Sequence, residues 1–236
     1  MDTCRALSPQ TLLFDADDTL WENNIYFETA ISAFVSYLDH RVHTPEEVRE
    51  RLNQCERATI AQFGYGVKSF RRSLINCFEQ LSLDPVTPQK HARIVAFADA
   101  ISSEEVRLLP EVAPTLQILA ERHRLLLVTK GDREEQVDKL ERSGLRSYFT
   151  AVEVPAEKNA PMYRDLVHRH QLDPGATWMI GNSPRSDVNS ALAAGLNAVS
   201  IPHDLTWALE HEVIDPPPRS QVLIELSRFS ELLRHF

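Results

Sequence analysis

From about residue 108 onward, short apolar runs alternate with stretches of helical periodicity, and several of the runs end at a polar residue or a glycine. Few architectures accept that alternation. A helix predicted near 113–122 precedes the strand Leu125-Leu126-Leu127-Val128-Thr129, and one near 133–143 precedes a strand near 150–154. A helix near 161–170 leads to Trp178-Met179-Ile180-Gly181, and one near 185–194 leads to Ala198-Val199-Ser200-Ile201. Strands alternating with helices of about ten residues imply βαβ units around a parallel sheet, with right-handed crossovers covering both faces. An earlier run, Thr11-Leu12-Leu13-Phe14-Asp15, reads as a buried strand of the same sheet, since it is too short for a helix.

Between these strands the pattern changes. From Trp21 to about Arg107 the apolar positions recur at helical spacing, as in Phe27, Ile31, Phe34, Val35 and Leu38. Further helical stretches cover roughly 45–63, 67–82 and 88–106, broken by Gly64-Tyr65-Gly66, Asp84-Pro85 and Thr87-Pro88. The expected fold class is therefore α/β, a Rossmann-like three-layer core around a parallel sheet, with an all-helical segment inserted after the first strand. Residues 1–20 and 108–236 would form the core and 21–107 the insertion. Pro216-Pro217-Pro218 marks a stiff connection before a last strand and helix.

Composition excludes several classes. Lys+Arg 25 against Asp+Glu 34 leaves a formal net charge of −9, which disfavours a nucleic-acid binder that would need a basic face. Hydrophobic residues at 43% and charged residues at 25% are those of a folded globular chain. The longest apolar runs, such as 125–128, are far short of the roughly 20 residues of a membrane span. Residues 1–10 include Asp2, Arg5 and Pro9 and do not form a signal-peptide pattern. Cys4, Cys55 and Cys77 contain no CxxC pair and are read as buried apolar residues. These features lead to the expectation of a cytoplasmic protein.

The polar residues at the strand ends are chemically coherent. Asp15, Asp17 and Asp18, then Thr129, Lys158, and Gly181-Asn182-Ser183 with Asp187 would converge on one crevice at the carboxyl edge of the sheet. Two carboxylates two residues apart with a third acid elsewhere make a hard oxygen site suited to Mg²⁺. A threonine hydroxyl and a lysine ammonium suit phosphate oxygens, and a carboxylate that attacks phosphorus gives an aspartyl-phosphate. The series Phe14-Asp15-Ala16-Asp17-Asp18-Thr19-Leu20, Leu126-Leu127-Val128-Thr129, Lys158-Asn159-Ala160-Pro161 and Gly181-Asn182-Ser183-Pro184-Arg185-Ser186-Asp187 resembles the four motifs of the haloacid dehalogenase superfamily of phosphohydrolases. The resemblance implies Asp15 as nucleophile and Asp17 as general acid and later base. It implies Thr129 and Lys158 as phosphoryl-binding groups, and Mg²⁺ held by Asp15, the Asp17 main-chain carbonyl and the fourth motif at Asn182 and Asp187. The insertion at 21–107 would then be a C1 cap, a lid that selects substrates. The implied reaction is hydrolysis of a small phosphorylated metabolite, a sugar phosphate or nucleotide, by a monomer or homodimer.

Two positions depart from the family pattern. Asn182 stands where relatives carry a metal-binding Asp; either its amide oxygen ligates, or it caps the following helix while Asp187 does the metal work. Lys130 follows Thr129 where many relatives have Asn, adding a phosphate contact or lying in solvent. Rival readings are a 2-haloacid dehalogenase, which has no need of Asp17, a phosphomutase, and a non-catalytic protein that keeps the fold, a reading that Asn182 favours. Lys68, Arg71 and Arg72 are read as a solvated face before a substrate-facing set. Tyr26 and Phe27 are hinge or core residues, and His203, Trp207 and His211 a remote candidate for metal.

Overall fold

The computed structural model describes residues 8–38, 42–83 and 85–236. Cys4, most of the segment 1–10 and Asp84 lie outside the described residues. The chain divides into two compact units. One comprises the chain up to Glu22, Val106–Lys130 and Gln136–Phe236, and the other Asn23–Glu105 with Gly131–Glu135.

The first unit is built on six parallel strands: β1 (Thr11–Phe14), β2 (Arg124–Val128), β3 (Ala151–Glu153), β4 (Thr177–Gly181), β5 (Asn197–Ser200) and β6 (Leu223–Glu225). Their spatial order is β3-β2-β1-β4-β5-β6, so the chain grows outward from β1 on one side and then crosses to the other. Leu12, Leu13 and Phe14 are all fully buried, which explains a continuous apolar run in place of alternation: a central parallel strand has two covered faces. Leu12, Phe14, Leu125, Leu127 and Ile180 pack on one side with Leu116 and Leu119 of α5 (Val112–Ala120), Leu140 of α6 (Arg133–Ser143) and the C-terminal Phe229 and Leu232. Leu13, Leu126, Val128 and Met179 pack on the other with Tyr163 and Leu166 of α7 (Ala160–His170) and Ala191 of α8 (Ser190–Ala194). The result is the expected three-layer α/β core.

The second unit holds α1 (Asn24–Leu38), α2 (Pro45–Phe63), α3 (Val67–Leu81) and α4 (Pro88–Ser102) around its own core, in which Phe34, Leu52, Leu74, Cys77 and Ile94 are fully enclosed or nearly so. Local chemistry sets its boundaries. Thr44 caps α2 by accepting from the Glu47 amide while Glu47 reaches back to the Thr44 amide, with Pro45 opening the helix. Thr87 caps α4 by accepting from the Lys90 amide, and Pro88 opens that helix. Gly66 lies at φ +115°, and a Cβ there would meet the Glu135 carboxylate at 2.9 Å, so glycine is required before α3. Glu135 also accepts from the Val67 amide at 3.0 Å, and Asp132 accepts from Lys68 at 3.2 Å. These contacts draw Gly131–Glu135, expected with the α/β part, into the helical unit.

Among the described residues, no helix is long and apolar enough to cross a membrane.

Candidate active site

The register of the sheet places the motif residues side by side. Phe14 pairs with both Leu127 and Ile180, so Asp15 emerges level with Val128 and Gly181 at the carboxyl edge. The strand order reverses direction between β1 and β4, and that switch point is where an open α/β sheet leaves a crevice.

Asp15, Lys158 and Asp187 form the buried centre. The Lys158 Nζ lies 2.6 Å from Asp15 Oδ1 and also donates to Asp187 Oδ1. Its side chain is 2% exposed, with Asp15 at 8% and Asp187 at 0%. Burial alone would lower the Lys158 ammonium, but the two carboxylates outweigh it and hold the group well above its ordinary value. Burial raises the Asp187 carboxyl, against the pull of Lys158. A side chain at Gly181 would collide with the Asp187 carboxylate, so the glycine is there to let that acid approach the backbone. The Ser183 amide donates to Asp187 Oδ2 at 3.0 Å and fixes its second oxygen.

A hydroxyl joins Asp15 to Asn182. Thr19 Oγ1 lies 3.1 Å from Asp15 Oδ2 and 3.2 Å from Asn182 Oδ1, while the Asn182 amide nitrogen of the side chain donates to Thr206 Oγ1 at 3.1 Å. The helix-capping role weighed for Asn182 falls to its neighbour, since Ser183 Oγ accepts from the Ser186 amide at the start of a π-helical turn, Pro184–Asn189. The amide oxygen of Asn182 is thus tied to the Asp15 carboxylate through the Thr19 hydroxyl.

Asp17 sits on the turn after β1, next to Asp18 at φ +60°. Its Oδ1 accepts from Trp21 Nε1 at 2.8 Å and Lys139 Nζ at 2.5 Å, and its Oδ2 from Gln136 Nε2 at 2.9 Å. Thr129 is buried, with Oγ1 3.4 Å from Gln136 Oε1. Lys130 is neither in solvent nor without partners: its Nζ lies 2.6 Å from Glu210 and 3.2 Å from Glu157. Glu210 also accepts from Ser183 Oγ at 2.5 Å and from Ser186 Oγ. Burial would raise this carboxyl, but Lys130 and the hydroxyls win and bring it down to about 2. Gln136, Lys139 and Glu210 were not singled out in the sequence. Spacing gave one faint signal, because Gln136 and Lys139 fall on one face of α6.

The secondary candidates resolve differently. Lys68 pairs with Asp132, Arg71 with Asp99, and the Arg72 guanidinium lies over the Phe63 ring, all within the helical unit. The Tyr26 hydroxyl donates to the Glu105 carbonyl, and Phe27 packs edge-on against Phe70. His203 lies 3.4 Å from Glu22 and 4.0 Å from Asp18, whereas His211 Nε2 contacts the Thr206 carbonyl. The ligand atoms of Asp18, Glu22 and His203 lie within 4.8 Å of one another, a different cluster from the one read in the sequence. Cys55 and Cys77 are buried free thiols, as expected.

A haloacid dehalogenase-like family hydrolase from Xanthomonas campestris superposes with a TM-score of 0.79 at 30% identity, over 97% of this chain and 96% of that one. N-acylneuraminate-9-phosphatase from Rattus norvegicus is 33% identical over 100 residues, 40% of this chain and 40% of that protein, so the match spans about two fifths of the relative's length. Glyceraldehyde 3-phosphate phosphatase from Methanothermobacter thermautotrophicus is 28% identical over 134 residues, 54% of this chain and 59% of that protein. The profile of the haloacid dehalogenase-like hydrolases matches residues 9–195, and with the sheet order and strand-end residues described above the chain belongs to that family.

Proposed function

We propose that the protein is a Mg²⁺-dependent phosphatase that hydrolyses a small phosphomonoester through an aspartyl-phosphate on Asp15. The observation that carries this reading is the buried Asp15–Lys158–Asp187 centre at the switch point of the sheet. A lysine held cationic between two carboxylates is suited to an incoming phosphoryl group that is itself anionic. In the first step a carboxylate oxygen of Asp15 attacks phosphorus and the bond to the leaving oxygen breaks. Asp17 delivers a proton to that oxygen, so an alcohol departs. In the second step Asp17 takes a proton from water, whose oxygen attacks phosphorus and releases phosphate and free Asp15. Thr129 and Lys158 hold the non-reacting phosphoryl oxygens throughout.

The donors available suit a hard dication: the Asp15 carboxylate and the Asn182 amide oxygen share the Thr19 hydroxyl, and Asp187 lies across Lys158. Asp15, Asn182, Asp187 and the Asp17 carbonyl would hold Mg²⁺. When bound it offsets repulsion between nucleophile and substrate. The helical unit is read as a C1 cap that selects the substrate. The named relatives are an N-acylneuraminate-9-phosphatase and a glyceraldehyde 3-phosphate phosphatase, so within the small phosphomonoesters a sugar phosphate is favoured over a nucleotide.

The dehalogenase reading is disfavoured by Asp17, whose three hydrogen bonds prepare a group that halide departure does not use. A screen of phosphomonoesters with and without Mg²⁺ tests the assignment, with 2-chloropropionate as the rival substrate. Metal-dependent release of phosphate is expected, and Asp15→Asn should abolish it by orders of magnitude while the fold persists. Chloride release, or phosphate release unaffected in Asp15→Asn, would overturn it.

A further inference from the structure

Among the described residues the Asp17 carboxylate accepts from three side-chain donors, and two of them come from one helix. Gln136 and Lys139 lie three residues apart on α6, so both side chains leave the same face and reach the same carboxylate. They take different oxygens: Gln136 Nε2 binds Oδ2 and Lys139 Nζ binds Oδ1, which Trp21 Nε1 shares. A carboxylate held on both oxygens cannot rotate about its terminal bond without breaking one side. Gln136 is itself fixed, because it is 4% exposed and its Oε1 lies 3.4 Å from the Thr129 hydroxyl. With Oε1 facing that hydroxyl, the amide can present only its nitrogen to Asp17. Lys139 is partly exposed, at 22% of its side chain, and ordering its long chain is costly in entropy. Lys139 nevertheless reaches the Asp17 carboxylate, beside the Asp15 loop, from the same helix face as Gln136.

We propose that Lys139, together with Gln136, is a positioning residue that aims the Asp17 carboxyl group at the leaving-group oxygen. The proposal rests on the reading of Asp17 as general acid. It makes a distinct demand: loss of Lys139 must hurt in the same substrate-dependent way as loss of Asp17. A proton delivered in the transition state matters most for a poorly stabilised alkoxide and little for nitrophenolate, and such acid catalysis is worth about 10²–10⁴-fold. Misaiming the acid without deleting it forfeits part of that.

The test measures kcat and KM of wild type, Asp17→Asn, Lys139→Met, Lys139→Arg and Gln136→Met on p-nitrophenyl phosphate, phenyl phosphate and glycerol phosphate in saturating Mg²⁺. Lys139→Met should lose roughly 10–100-fold in kcat on glycerol phosphate and under about threefold on p-nitrophenyl phosphate. Lys139→Arg should recover part of the loss, and adding Lys139→Met to Asp17→Asn should cost little more, since both remove one function. The Trp21 indole N–H resonance, assigned with Trp21→Phe, should move in Lys139→Met without any metal. Equal losses on all three esters would make Lys139 structural, and a rise in KM alone would make it a substrate contact; either overturns the proposal. Gln136→Met supplies the same comparison if Lys139→Met does not fold. If Asp17→Asn itself damages all esters equally, the general-acid reading fails, an outcome separate from wild-type behaviour in Lys139→Met beside a discriminating Asp17→Asn.

Discussion

At Asn182 a single atom separates two charge states of the site. Its Oδ1 faces Thr19 and its amide donates to Thr206, whose own hydroxyl also bonds the His203 carbonyl. Asn182→Asp keeps the first contact, loses a donor in the second, and adds a charge next to Asp15. A carboxylate binds a hard dication more strongly than an amide does, while repulsion from Asp15, Asp187 and the substrate phosphate takes back much of the gain. The Mg²⁺ concentration for half-maximal activity should fall several-fold with turnover at saturation little changed; a Mg²⁺ titration of activity decides, and an unchanged midpoint would remove Asn182 from the ligand set. This position was legible in the sequence because it sits inside a contiguous motif. Glu210, Gln136 and Lys139 were not: Glu210 reaches Lys130 across 80 residues, and Gln136 and Lys139 reach Asp17 across 119 and 122. Local spacing carries no trace of partners so remote, and only the strand order brings them together.

Two elements carry consequences of their own. At the end of β4, Gly181→Ala places a methyl where the Asp187 carboxylate lies, and neither backbone nor a fully buried acid can give way cheaply. Overpacking of this kind costs about 1–3 kcal/mol and would displace Asp187 from Lys158, so activity should fall further than stability; urea unfolding beside phosphate release separates the two. On α2, Glu56 is 5% exposed with Oε2 unpartnered, and burial pushes its carboxyl up to about 7 despite Arg49. The folded protein therefore holds this proton more tightly than the unfolded chain, whose value is 4.5. Below 4.5 both states are protonated and there is no penalty; between there and 7 the folded state loses ground, by on the order of 3 kcal/mol above pH 7. Glu56→Gln should match wild type in urea at pH 4 and exceed it at pH 8, less whatever the buried amide costs. The helix at 45–63 was legible because its apolar period stops at the break Gly64-Tyr65-Gly66. That Gly131–Glu135 would group with the helices was not, since it depends on where α3 begins.

Among the described residues, the cores of the two units share no buried residue, which implies two cooperative units. All four groups read as metal ligands lie in the sheet unit, and Glu56 lies in the helical one. A ligand that binds only the folded state stabilises by mass action, about 2.7 kcal/mol at one hundred times its dissociation constant. For a unit of 150–250 residues that corresponds to roughly 5–10 °C in Tm. Scanning calorimetry at pH 8 should then resolve two overlapping transitions. Adding Mg²⁺ after EDTA treatment should raise one of them, Glu56→Gln should raise the other, and the two shifts should combine without interaction because the sites share no partners. Asp187→Asn should erase the Mg²⁺ shift and leave the Glu56→Gln shift in place. A single transition that responds to both changes would show that the chain unfolds as one body, and a Mg²⁺ shift that survives Asp187→Asn would place the ion at other residues.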